Sequence, residues 1–251
     1  MNAKERKRRQ TVLLAADVGS YSISTVSLAV QMAAAINSKL QGLFIEDEDL
    51  LQVTGLPITR EISLATARER PTDVDKMRRS MRSVARQFEQ TLKQEAGALQ
   101  IGWSFDYVRG RARDVGLEHG TDVTYMILGQ PVSHRLRSRP ERTPCKILLI
   151  ANESRHQKQA LQVVLDQFKK EKVELTLVED RPDGKIANEI EKMERNKSLE
   201  LGLKRLTREQ LLEQLGQLGS AFSCAIISRH EKPELMSRVL KSLSCPVILV
   251  A

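Results

Sequence analysis

The 251-residue sequence predicts an α/β fold built from parallel sheets covered by helices. Three observations carry this reading. Short apolar runs alternate along the chain with longer amphipathic stretches, the order that strand–helix–strand units require. Hydrophobic residues make up 41% but aromatics only 4%, so the core is built from Leu, Ile, Val and Ala, the palette of strands buried on both faces. The chain also repeats itself. "TVLLAADVGSYSISTVSLAVQMAAAINSKLQGLFIED" and "KILLIANESRHQKQALQVVLDQFKKEKVELTLVED" both read as strand, Ser-bearing turn, amphipathic helix, polar break, strand and acidic pair. Asp17 answers Asn152 and Asp47 answers Asp180 at a spacing of about 134 residues, which makes two tandem domains the expectation.

In the first repeat, the apolar run Thr11–Ala16 is a strand, and Ser22–Ile36 is a helix whose Ile23, Val26, Val30, Met32 and Ala33 leave a broad apolar face. Leu40–Ile45 is the second strand. Residues 51–72 have mixed patterning and two prolines. Asp73 is placed to cap a helix running to about Ala96, with Met77, Met81, Val84, Phe88 and Leu92 at helical spacing. Trp103–Val108 alternates like a sheet-edge strand, and Val123–Leu128 is the fourth strand. The second repeat places strands near Lys146–Ala151, Val173–Val178, Leu199–Arg205, Cys224–Ser228 and Val247–Val250. Its helices fall near His156–Lys170, Lys185–Arg195, Arg208–Leu218 and Lys232–Leu243. The stretch Gly129–Pro144, with three prolines and four arginines, reads as the boundary. The expected layout is a basic tail at 1–10, a first domain at 11–129, a linker at 130–144 and a second domain at 145–251.

The net charge of +8 raises the question of a polyanion partner. Much of the excess is local, in Lys4, Arg6, Lys7, Arg8 and Arg9 and in Arg135, Arg137, Arg139 and Arg142. Neither run has interleaved aromatics for base stacking, so both read as solvated segments. Nucleic-acid binding is not the expectation; it stays a third alternative, resting on residues 4–9 and 135–142. No apolar run reaches the ~18 residues of a membrane span, and Asp17 interrupts "TVLLAA" too early for a signal peptide, so a cytoplasmic protein is expected. Cys145, Cys224 and Cys245 lack paired spacing and sit in apolar runs, as buried reduced thiols do. The acidic run Glu46–Asp49 reads as solvated, since consecutive carboxylates do not converge on one ion. His119, His134, His156 and His230 lack the i+4 partner of a zinc pair, and "DVGS" is not a nucleophile elbow. Trp103 reads as packing at a strand start. No catalytic residue and no metal ligand is assigned.

The segments "LLAADVGS", "GLFIEDEDLL" followed by "GLPITREI", "MILG" and the closing "CPVILVA" stand in the order and spacing that resemble the universal stress protein family in its tandem form. The resemblance covers nearly the whole chain after residue 10. It implies a flavodoxin-like (adenine nucleotide alpha hydrolase-like) five-stranded parallel sheet in each domain, and a role in stress survival rather than one shared reaction. It also implies ATP held at the carboxyl ends of strands one and four, with phosphates on a loop of the form G-x-x-G-(nine residues)-G-[ST]. Carried over position by position, the nucleotide-binding residues are Asp17, Gly19 and Ser20 on the adenosine side and Gly129 and Thr143 on the phosphate side. The second and third glycine positions are Val132 and Arg142, and Val18 is an extra residue against the family pattern. The second domain has "IISRHEKPE" after strand four and Asn152-Glu153-Ser154 in place of Asp-Gly-Ser, so its site is lost.

Between "MILG" and "CKILLIAN" there is no room for a helix and a fifth strand, so the first domain is expected to be truncated to four strands, its edge covered by the second domain in an intramolecular pseudo-dimer. The functional expectation is a non-enzymatic stress-response protein acting through conformation, a protein partner or self-association, with no required cofactor. ATP binding by the first domain alone is the alternative. The turn "ADVGS" is expected to be kept chiefly as a strand–turn–helix connection.

Overall fold

A computed structural model describes residues 11–62, 67–111, 123–130, 144–152, 154–168, 172–179, 201–218 and 221–251, with Glu118, Ile186, Ile190 and Lys192. Local chemistry sets the elements. The apolar run β1 (Thr11–Ala16) leads through a turn into α1 (Ile23–Ala35), capped by Ser22, whose hydroxyl accepts the Thr25 N–H at 3.2 Å. Then follow β2 (Lys39–Asp47), α2 (Glu48–Thr54) and a two-stranded hairpin of β3 (Arg60–Ile62) and β4 (Glu69–Pro71). α2 starts in the acidic run and ends in the stretch of mixed patterning, which also holds the hairpin. Asp73 caps α3 (Val74–Ala98), accepting from Asp75 and Lys76, and the helix runs one half-turn beyond its expected end. β5 (Trp103–Gly110) and β6 (Tyr125–Leu128) complete the first half.

The second half contains β7 (Cys145–Ile150), α4 (Arg155–Gln167, capped by Ser154), β8 (Val173–Val178), β9 (Leu201–Leu206), α5 (Arg208–Leu218), β10 (Cys224–Ser228), α6 (Pro233–Ser242) and β11 (Val247–Val250). Most of the expected helix at 185–195, the tail 1–10 and most of the linker lie outside the described residues; Ile186, Ile190 and Lys192 of that helix are described and helical.

The strands form one nine-stranded sheet in the order β5-β2-β1-β6-β11-β10-β7-β8-β9. Counted within each half, the order is 3-2-1-4 in the first and 3-2-1-4-5 in the second, so among the described residues the first half is a four-stranded version of the same doubly wound parallel sheet. Every neighbouring pair is parallel except one, β6 with β11, which pair antiparallel from Leu128↔Val247 to Tyr125↔Val250. A four-stranded parallel half leaves the edge of β6 with unpaired backbone groups. The last strand of the second half satisfies them, and it merges two sheets into one. Around this seam the Ala251 N–H donates to the Thr124 carbonyl at 3.1 Å, and Arg229 donates to the Val123 carbonyl. The Tyr125 hydroxyl donates to the His156 carbonyl at 3.1 Å.

Alternation along the strands divides the core between the two faces of the sheet. Val12, Leu14, Phe44, Tyr125, Ile147 and Leu149 pack under α1, α3 and α4, while Leu13, Leu43, Met126, Leu148 and Leu249 share the other face with α5 and α6. Each cluster contains residues of both halves. The three cysteines are buried and free. Burial pushes the Cys224 thiol well up and the Cys245 thiol to about 12.

Candidate functional site

In an open parallel sheet, ligands bind outside the carboxyl ends of the strands where the strand order reverses direction. In the first half this point lies between β1 and β6, and an open crevice of about 580 Å³ is found there. Asp17, Ser20 and Gly129 line it. Gly19 does not, and Thr143 lies outside the described residues.

The turn after β1 is held by its own polar groups. Asp17 Oδ1 accepts the N–H of Gly19 at 2.7 Å and of Ser20 at 2.8 Å, and Ser20 Oγ in return accepts the Asp17 N–H at 2.8 Å. The carboxylate and hydroxyl thus close a local Asx-type turn, which delivers the chain to the Ser22 cap. Gly129 donates its N–H to the Ala15 carbonyl at 3.0 Å, continuing the β1–β6 ladder. A Cβ at position 129 would lie 2.6 Å from the Ser20 carbonyl oxygen, so the glycine is what lets the end of β6 approach the turn. The polar groups that resemble a nucleotide site are therefore engaged with each other.

The rest of the crevice comes from residues outside the nucleotide motif, two of them from the acidic run that the sequence reads as solvated. Asp47 and Asp49 face it from the end of β2 and the start of α2, and Arg111 pairs with Asp49 at 3.3 Å. The Asp47 carboxyl accepts the Asp49 N–H at 3.0 Å and caps α2. Its pKa is raised, first by burial and then by the neighbouring Asp17 and Asp49 carboxylates, against backbone hydrogen bonds that favour the charged form. Leu240, Lys241, Leu243 and Ser244 close the far side from the second half. No sequence signal links them to the turn at 17–20; only the seam brings them there. Glu46 turns away from this crevice, accepting from the Tyr107 hydroxyl and pairing with Arg109 at 3.7 Å. Among the described residues, no group of three or more His, Cys, Asp or Glu side chains is placed to hold a metal ion, and no helix is long and apolar enough to cross a membrane.

The second half has its reversal between β7 and β10, and there the position is bridged by an ion pair. Arg208, the first residue of α5, forks onto Glu231, with Nη2–Oε2 at 2.8 Å and Nε–Oε1 at 3.2 Å, and also donates to the Ala151 carbonyl at 3.2 Å. Their side chains are only 19% and 7% exposed. The guanidinium thus reaches from the end of β9 past the end of β7 to the loop after β10. Beneath it the buried Gln157 amide donates to the Ile150 carbonyl at 2.6 Å and accepts the Asn152 N–H at 2.9 Å. No motif in the sequence marks this pair.

No family model matches the chain, and no curated protein does. Among solved structures it is similar to a universal stress protein from Archaeoglobus fulgidus DSM 4304, at 10% sequence identity and a TM-score of 0.45, with 97% of each chain covered.

Proposed function

We propose that the chain is a universal-stress-type protein that works without turnover, through its conformation and a protein partner, with ATP binding weak or absent. The observation that carries the reading is the state of the first crevice: the Asp17 carboxylate, the Ser20 hydroxyl and the Gly129 N–H are all engaged by neighbouring backbone. The ion pair at the equivalent position of the second half supports the same conclusion. The repeated 3-2-1-4 strand order and the motif order in the sequence support the family assignment.

The energetics agree. A hydrogen bond to a charged phosphate contributes roughly 1.5–3 kcal/mol. Losing two such donors weakens a micromolar site by about two to four powers of ten, at 1.4 kcal/mol per factor of ten. A second reading, adenine-nucleotide binding by the first half alone, is favoured by the size of its crevice, about 580 Å³.

Thermal denaturation with and without ATP and magnesium separates the two, because a ligand of the native state stabilises it by RT ln(1 + [L]/Kd). No saturable rise in Tm is expected at tens of micromolar ATP. A rise at that concentration, abolished by Asp17→Ala, would establish the second reading.

A further inference from the structure

β5 is a terminal strand of the nine-stranded sheet, and its backbone shows which groups face outward. The Leu40 N–H donates to the Gly102 carbonyl at 3.0 Å. In a parallel ladder, the N–H and C=O of one residue point to the same side and successive residues alternate. Ser104, Asp106 and Val108 therefore turn their backbone groups toward β2. Trp103, Phe105, Tyr107 and Arg109 turn theirs outward, where no described strand pairs with them. Such an edge is a template for another extended chain.

Beside this edge runs a groove of about 350 Å³ between α3 and β5, lined by Arg82, Ala85, Arg86, Glu89, Phe105 and Tyr107. Tyr107 is 40% exposed there, and its hydroxyl proton is committed to Glu46. Arg82 and Arg86 are exposed and one helical turn apart, and neither forms an ion pair with a described carboxylate. Glu89 is the one acidic residue of the lining.

We propose that this edge takes an extended acidic segment of a partner protein by strand addition. Residues of the added strand directly opposite Phe105 and Tyr107 share the face covered by α3, so alternate carboxylates of that strand lie beneath Arg82 and Arg86. Backbone hydrogen bonds supply the attraction, and the arginines select the charge. A second copy of this chain is the poorer occupant, because pairing β5 with itself sets Arg82 and Arg86 against their own counterparts. This partner class belongs to the function proposed above but follows from the strand edge and the two arginines beside it, so it stands or falls separately from the nucleotide reading.

Trp103, the sole tryptophan, opens β5 and reports on it by fluorescence. The probe is a capped heptapeptide of alternating Glu and Thr, titrated into the full chain. A saturable change in Trp103 emission is expected. Affinity should fall by about tenfold or more for the Lys–Thr peptide and for the Arg82→Glu/Arg86→Glu variant. Both arginines are exposed, and an unchanged circular dichroism spectrum and Tm verify the variant's fold. With the unmodified protein, N-methylating alternate amides of the Glu–Thr peptide removes donors but keeps charge, and binding should be lost. No response up to millimolar peptide, or equal affinity for the N-methylated peptide, overturns the proposal. So does a concentration-dependent emission change without peptide that accompanies a doubling of the 28.3 kDa mass.

Discussion

At residue scale, two glycines that resemble opposite sides of one nucleotide-binding site have different reasons to be there. Gly129 is required sterically: a Cβ would sit 2.6 Å from the Ser20 carbonyl oxygen and 3.1 Å from Ser20 Cβ, both atoms of a buried residue. Gly19 would place its Cβ 3.4 Å from Asp17 Oδ1, an ordinary contact, and its φ is not positive. Gly129→Ala is therefore expected to cost about 1–3 kcal/mol, as overpacking does, while Gly19→Ala stays within about 1 kcal/mol of the parent. Urea midpoints at constant m-value measure both. Equal losses would mean that the close approach of β6 to the turn is not what holds position 129. Sequence reading found both residues, yet only coordinates separate steric need from resemblance, because the atom that Gly129 would strike belongs to a residue far away in the chain.

At the scale of elements, the two strand–turn–helix units show how a repeat diverges. Both helices start at a serine cap, Ser22 and Ser154, and both first strands are apolar apart from Thr11 in one and Lys146 in the other. Five residues separate Ala16 from the Ser22 cap and three separate Ile150 from the Ser154 cap, and each connection keeps an Asx-type hydrogen bond, from the Gly19 N–H to Asp17 Oδ1 at 2.7 Å and from the Ser154 N–H to Asn152 Oδ1 at 3.1 Å. The equivalent position of the second half is crossed by the Arg208–Glu231 pair. Removing one member of a buried pair strands the other charge, so Arg208→Ala should destabilise by about 3–5 kcal/mol. Replacing both by apolar residues, Arg208→Met with Glu231→Leu, should cost less than the single change. A double-mutant cycle reads this coupling from denaturation midpoints. Additive losses would show that the pair is not coupled across the strand ends.

At the scale of the whole molecule, the antiparallel seam between β6 and β11 and the two shared core clusters leave neither half with a boundary of its own. Strand ladders and apolar packing run from β5 at one edge to β9 at the other. Unfolding is therefore expected as one cooperative transition. Trp103 fluorescence reports the first half alone and far-UV circular dichroism reports both, and their urea transitions should coincide. Separated midpoints would mean that each half is stable without the seam.

The sequence by itself determined what depends on neighbours along the chain. Strands such as Thr11–Ala16, Val173–Val178 and Val247–Val250 follow from short apolar runs between turn residues. The caps at Ser22 and Asp73 follow from side chains that reach the nearest free N–H groups. Four strands of the first half enter the sheet among the described residues, as the short stretch before Cys145 leads one to expect. Tertiary structure alone decided which strands join the halves, what lines the first crevice and what spans the equivalent position of the second half. The β6–β11 pairing, the Lys241 side of the first crevice and the Arg208–Glu231 bridge all unite residues separated by tens of positions or more. Periodicity carries no information about such pairs, because burial pattern states that a strand edge or a charge needs a partner without stating which one it receives.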